Sequence, residues 1–137
     1  MSVVYLTRLR LRSRWLIPRF LWENIAIRAQ LRRTPGYLGG EGILELGAAF
    51  WTMSLWTDAD AMKAFRGSGS HARAMPKNLD WSVESSGAGF ESDELPDWND
   101  ALTLLQKHGR ATPVRNPTPA QKDMRFPPAR PLLKFRL

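Results

Sequence analysis

Cysteine is absent from the 137 residues, which excludes disulfides, cysteine-ligated zinc and a thiolate nucleophile. Histidine is nearly absent. His71 and His108 stand alone, and the carboxylates show no ligand spacing, so the sequence offers no metal site. Uninterrupted apolar runs are also missing. Nothing approaches the ~18 residues of a spanning helix, and the first apolar run, "MSVVYLTRLRLRSRW", is broken by Arg8, Arg10, Arg12 and Arg14, unlike a signal segment. The expectation is a cytoplasmic protein with no transmembrane segment. The "GSGS" at 67–70 lacks the lysine and flanks of a phosphate-binding loop. No Ser-His-Asp set can be singled out either, because Ser68, Ser70 and many other serines are equally eligible.

What is present is a chain of one-domain length, 43% hydrophobic, with six Trp and six Phe. That aromatic content suits a large-sided core or an apolar pocket. The net charge of +7 is unevenly spread. Residues 1–40 carry a balance of +7, residues 41–109 a balance of −6, and residues 110–137 a balance of +6. A duplex-binding protein concentrates positive charge on one presented face. Here the middle is acidic, so no nucleic-acid partner is expected.

"SVVYLTRLRLRS" alternates with period two, Val3, Tyr5, Thr7, Leu9 and Leu11 on one face, and reads as a strand. "WLIPRFLWENIAIRAQLRRT" places Ile17, Phe20, Leu21, Asn24, Ile25, Arg28 and Leu31 near helical spacing, with Pro18 in the first turn and Pro35-Gly36 as the stop. "GILEL" and "AAFWTMSLW" meet at Gly47 as a hairpin. Thr57 and Asp60 read as the cap of a helix through "DADAMKAFRG". One or two helical turns follow in "SHARAMPKN". A strand follows in "LDWSVESSGAGF" with Leu79, Trp81 and Val83 on one face. The last helix is "ELPDWNDALTLLQKHG". The order strand–helix–strand–strand–helix–strand is the split βαβ, ferredoxin-like arrangement, an α+β class with a four-stranded antiparallel sheet. Helices on one face leave the other needing cover, which predicts a homodimer paired through its sheets. The domain is expected over 1–109. Residues 110–137, basic with six prolines, form an extended tail packing on the domain or, preferably, on the partner subunit.

The segments "AFWTMSLWTDADAMKAFRGSGSHARAMPKNLDW" and "ELPDWNDAL", with "RTPGYLGGEGIL" upstream and "GRATPVRNP" downstream, resemble the antibiotic-biosynthesis-monooxygenase-like group of the dimeric α+β barrel superfamily. The pattern is more distantly similar to spheroidene monooxygenase of carotenoid synthesis. The resemblance implies a dimeric α+β barrel and a small monooxygenase-like tailoring enzyme of secondary metabolism. Its substrate would be a hydrophobic aromatic or polyene small molecule, handled without a metal of its own. The superfamily also holds haem enzymes and proteins with no known reaction, so haem and a non-catalytic binding role stay open. In "ESSGAGF", Gly89 and Phe90 stand where the group carries a histidine and a tryptophan.

Within that frame His71 is the candidate general base or haem ligand, because an imidazole can accept a proton near neutral pH. Trp51 and Trp56, five apart on one strand, point to opposite faces. Trp51 and Asn24 would position the ligand, Trp51 by stacking and its indole N–H, Asn24 as a polar interruption of an apolar stripe. Arg28, one turn from Asn24, could bind a carboxylate or enolate. Met53, Phe65, Met75, Trp81 and Phe90 are candidate pocket walls, with core packing as their other reading. The run "SRWLIPRFLW", with arginine on one side and tryptophan on the other, fits either a membrane surface or helix-on-sheet packing.

Overall fold

The computed structural model describes residues 1–137. Strand β1 (Val3–Leu11) forms where the period-two pattern places it, and lies between two antiparallel neighbours. Those are β3 (Ala49–Trp56) and β4 (Ser82–Glu91). Strand β2 (Tyr37–Glu45) pairs with β3 through a turn at residues 46–48. That turn needs positive φ at Gly47 (+85°) and Ala48 (+62°), a conformation open to glycine at no steric cost and strained for alanine. The second strand is longer than "GILEL": it starts at Tyr37, directly after the Pro35-Gly36 stop.

The sheet has six strands rather than four, in the order β5-β4-β1-β3-β2-β6. The additions are β5 (Gly109–Ala111) on the free edge of β4 and β6 (Leu133–Arg136) on the free edge of β2. Both are short segments after the last helix, which satisfy edge groups that would otherwise face solvent.

Helix α1 (Ile17–Arg33) follows a 3-10 turn over Arg14–Leu16, whose first N–H groups are met by the Ser13 hydroxyl accepting from Trp15. Helix α2 (Ala59–Arg66) is capped by Asp58, whose carboxylate accepts from the Ala61 N–H at 2.8 Å; Thr57 instead lies outside and bonds Asp58. Such a cap contributes about 1 kcal/mol. Helix α3 (Gly69–Trp81) is longer than expected and runs through Pro76. The proline costs one backbone bond, but its ring is exposed and the helix continues to Trp81. Trp81 therefore ends a helix instead of lining a strand, and packs beside Leu11, Ala48 and Phe50. The last helix, α4 (Ala101–His108), begins after a 3-10 turn at Trp98–Asp100, so Leu95 and Pro96 precede it.

Register divides the core in two. Residues paired across strands share a face, so Val3, Tyr5, Thr7, Leu9 and Leu11 lie with Trp56, Ser54, Thr52 and Phe50. Against that face pack α1, α2 and α3, through Leu31, Met62 and Phe65 at one end and Phe20 and Ile17 at the other. The opposite face carries Leu6, Ile43, Trp51, Met53 and Ala88. It is covered by Trp98, Ala101 and Leu105 of the α4 region and by Phe126 of the tail. Sheet-to-sheet pairing of two copies requires this face to be bare. Here the same chain covers it, and the tail lies on its own domain.

Candidate active site

Beneath α1, the sheet presents a row of small and hydroxyl residues, Gly42, Thr52, Thr7 and Gly87, one from each of four adjacent strands. This row separates the apolar cluster around Trp56 from the one around Phe50. Thr7 Oγ1 and Thr52 Oγ1 share a hydrogen bond at its centre. Its two ends are glycine because aromatic side chains lie over them. A methyl at Gly42 would collide with the Phe135 ring, and one at Gly87 would stand 2.8 Å from the Tyr5 hydroxyl.

His71 stands in the first turn of α3, half-buried, its ring 4.9 Å from that of Phe65. Its backbone N–H donates to Gln30 Oε1 at 2.9 Å. Its Nδ1 lies 3.2 Å from the Arg66 carbonyl oxygen. A carbonyl only accepts, so Nδ1 carries the proton and the neutral ring leaves Nε2 as the basic atom. Burial lowers the imidazole pKa below its ordinary 6.5; the Arg66 charge lowers it further, against the raising effect of the backbone bond. The group is therefore held in its proton-accepting form at neutral pH.

Two residues that sequence reasoning missed hold this histidine. Gln30 of α1 spans the α2–α3 junction, accepting from His71 and donating to the carbonyls of Phe65 and Ser68. Arg66 accepts the His71 ring N–H on its carbonyl and lays its guanidinium 5.0 Å from the Tyr5 ring centre. Gln30 is half-buried, and its role rests on contacts with residues 35 to 41 positions away that helical spacing does not mark. A cleft of about 610 Å³ opens at the same junction, lined by Gln30, Phe65, Ser68 and Arg73 among others.

The structure divides the remaining candidates between the two faces. Asn24 lies one turn from Arg28 on α1, its amide donating to the Phe20 carbonyl of its own helix at 2.8 Å. Arg28 donates to the Arg136 carbonyl at 2.5 Å and lies 5.8 Å from the Phe135 ring, while its buried Nε has no partner. Phe65 is buried between Trp56 and His71. Met75 is exposed on α3. Trp51, Met53 and Phe90 lie on the other face. Trp51 there donates its indole N–H to Glu45 Oε1, Met53 is in the core, and Phe90 stacks 5.1 Å from His108. Trp51, assigned with His71 and Asn24 to one site, is thus separated from His71 by the sheet.

That second face holds its own polar cluster. Arg8, 3% exposed, pairs with Glu84 at 2.7 Å and is flanked in register by Trp51 and Ser86. Burial pushes the Glu84 carboxyl up, but hydrogen bonds from Thr118 and Arg8 and the charges of Arg8 and Arg10 outweigh it and hold the group below its usual range. Glu45 Oε2 accepts from the Arg130 backbone, and Gln121 bonds the backbone of Ser85 and Thr112. These contacts fasten the tail to the sheet. The arrangement is closed and fully engaged apart from Arg8 Nε and Ser86 Oγ.

No family model and no curated protein matches the sequence. Solved structures do match the fold. SnoaB, a cofactor-independent oxygenase from Streptomyces nogalater, is 20% identical with a TM-score of 0.55, over 70% of this chain and 98% of that one. Rv0793 from Mycobacterium tuberculosis is 11% identical with a TM-score of 0.61, over 71% of this chain and 100% of its own. An antibiotic biosynthesis monooxygenase is 14% identical with a TM-score of 0.57, over 69% and 99%. The chain has the ferredoxin-like α+β fold of the antibiotic-biosynthesis-monooxygenase-like proteins.

Proposed function

We propose that the protein is a small monooxygenase-like tailoring enzyme acting on a flat, hydrophobic small molecule with an acidic phenol or carbonyl-activated C–H. The observation that carries this reading is the state of His71: Nδ1–H given to a backbone carbonyl, Nε2 free to accept, and a pKa lowered by burial. The fold shared with a cofactor-independent oxygenase supports it. The substrate would lie between α1, α3 and the Thr7–Thr52 floor, with Phe65 as an apolar wall and Asn24 and Arg28 facing its oxygen atoms. His71 Nε2 takes the substrate proton, and the resulting electron-rich anion reduces O₂ directly. One oxygen atom becomes the new substrate carbonyl and the other leaves as water, which balances the loss of two substrate hydrogens.

The test is oxygen uptake with flat phenolic substrates by wild type and His71→Ala. General-base loss lowers turnover by roughly 10²–10⁴-fold. Uptake in the variant within a few-fold of wild type would remove His71 from the chemistry.

One observation favours a second reading, a binding protein of the same fold without turnover. Gly89 carries no side chain on the helix-facing side of β4, opposite Tyr5, so that position supplies no second acid or base; Glu91, on the same side, is exposed at the strand end opposite Val3. Saturable ligand binding without oxygen uptake in wild type identifies that case. A haem role for His71 is separated on the same sample: titration with haemin gives a Soret band that His71→Ala moves only if the imidazole is the axial ligand.

A further inference from the structure

Helix α1 is apolar on both sides. Its inner side supplies Phe20, Ile27 and Leu31 to the core. Its outer side carries Leu21, Trp22 and Ile25, with Pro18, Ala26 and Ala29 between and beside them at helical spacing. Trp22 is 74% exposed, Ile25 62% and Leu21 46%, and Trp15 in the turn before the helix is 79% exposed. A contiguous apolar stripe on a helix is normally covered. Here the outer side faces solvent.

The surroundings of this surface are of one charge. Arg14 lies 5.2 Å from the Trp15 ring, Arg19 follows in the first turn, and Arg32 and Arg33 close the helix. The single acidic residue between positions 14 and 33 is Glu23. It is turned to α3, where it pairs with Lys77 at 2.5 Å. A second copy of the chain placed face to face would set these arginines against each other.

From this we infer that the outer face of α1, with Trp15, is a docking surface for an anionic lipid bilayer. The helix would lie in the plane of the interface. Tryptophan suits that depth because its ring is apolar and its N–H finds a polar partner. The arginines meet the headgroup charge, and Ile25 and Leu21 enter the acyl boundary. No helix of the chain is long and apolar enough to cross a membrane, so the attachment is peripheral. The inference is independent of the chemistry proposed for His71.

The experiment is flotation of the full chain with vesicles of phosphatidylcholine alone and of phosphatidylcholine with 30% phosphatidylglycerol (about one lipid in three anionic), at low and high salt. Wild type floats with the anionic vesicles, and added salt weakens this. Trp22→Glu with Ile25→Glu lowers partition by about tenfold or more at unchanged far-UV circular dichroism and melting temperature, since both side chains are solvent-exposed. Arg32→Ser with Arg33→Ser removes the preference for anionic over neutral vesicles. Absence of flotation overturns the proposal, as does flotation that the Trp22/Ile25 pair leaves unchanged. Self-association of wild type that this pair abolishes, without vesicle binding, assigns the surface to a second copy instead.

Discussion

The Phe126 ring lies 4.0 Å from the guanidinium carbon of Arg8, and Trp51 lies 5.6 Å away on the neighbouring strand. Arg8 is thus held in the middle of the sheet between two aromatic rings and Glu84, and the tail residue is its lid. Phe126 also belongs to the same core cluster as Leu6, Met53 and Leu105. Phe126→Ala therefore removes both core volume and the cover over a buried ion pair. The expected loss is about 3–5 kcal/mol, read from the midpoint of chemical denaturation. A loss under about 1 kcal/mol would mean that the tail is not part of the cooperative core.

The Glu84 carboxyl has a folded pKa below its ordinary 4.5. A depressed carboxylate contributes stability above its unfolded pKa and loses it as the pH falls through the folded value. The part of the stability that this group contributes is flat through neutral pH and drops below about pH 4.5, where the Arg8 and Thr118 bonds are lost. Glu84→Gln leaves Arg8 buried without a counter-charge, lowering neutral-pH stability and shrinking the acid-dependent part. Equal acid sensitivity in the two proteins, followed by thermal melts from pH 7 down to about pH 3, would place the acid response elsewhere.

Removing residues 113–137 strips Gln121, Phe126 and β6 from the domain. It uncovers part of the Leu6, Ile43, Trp51 and Met53 surface and frees the edge of β2. An apolar sheet face with an open edge seeks another copy. Light scattering on the truncated chain is expected to show self-association beyond that of the full chain. Equal masses for the two at equal concentration would contradict this.

How much of this was legible in the sequence depended on the range of the interaction concerned. Trp51 and Trp56 were placed on opposite faces by spacing alone, because strand geometry has a period of two wherever the strand lies. The same holds for the Val3-to-Leu11 face and the Gly47 turn. Trp81 was misplaced because Pro76 is a local stop signal, whereas the helix continues through packing of Trp81 near Leu11 and Phe50. The tail has no periodicity to read. It is held by isolated contacts such as Gln121 on Ser85 and Arg130 on Glu45, each more than 30 residues distant in sequence. For the candidate site, residue chemistry points to His71, Asn24 and Arg28, but separating them from Trp51, Met53 and Phe90 requires knowing which face the helices cover.

Gln30 offers a test of positioning apart from chemistry. It touches His71 only through the backbone N–H, and it also fixes the Phe65 and Ser68 carbonyls. Gln30→Leu leaves these groups without their partner, at about 1–3 kcal/mol. It lowers kcat by shifting the α2–α3 junction while the acid limb of the pH profile keeps its place, since the imidazole itself is unchanged. A shifted limb would show that Gln30 sets the ionisation of His71 as well.

The imidazole of His71 gives the most direct measurement. Its folded pKa is lowered below 6.5, first by burial, so the unfolded chain binds a proton there more readily than the fold does. Stability from this group is complete above about pH 6.5 and falls as the pH drops toward the folded value, below which the loss levels off. On the role proposed for His71, the acid limb of turnover lies below pH 6.5, where the displaced imidazole takes up its proton. Two-dimensional NMR of the ring during a pH titration reads the ionisation directly, with His71→Ala identifying the resonance. The Nδ1–H tautomer is expected throughout the neutral range because the Arg66 carbonyl can only accept. An inflection at or above 6.5 would show that burial does not govern this ring, and an Nε2–H tautomer would take the Nε2 lone pair out of use as the proton acceptor.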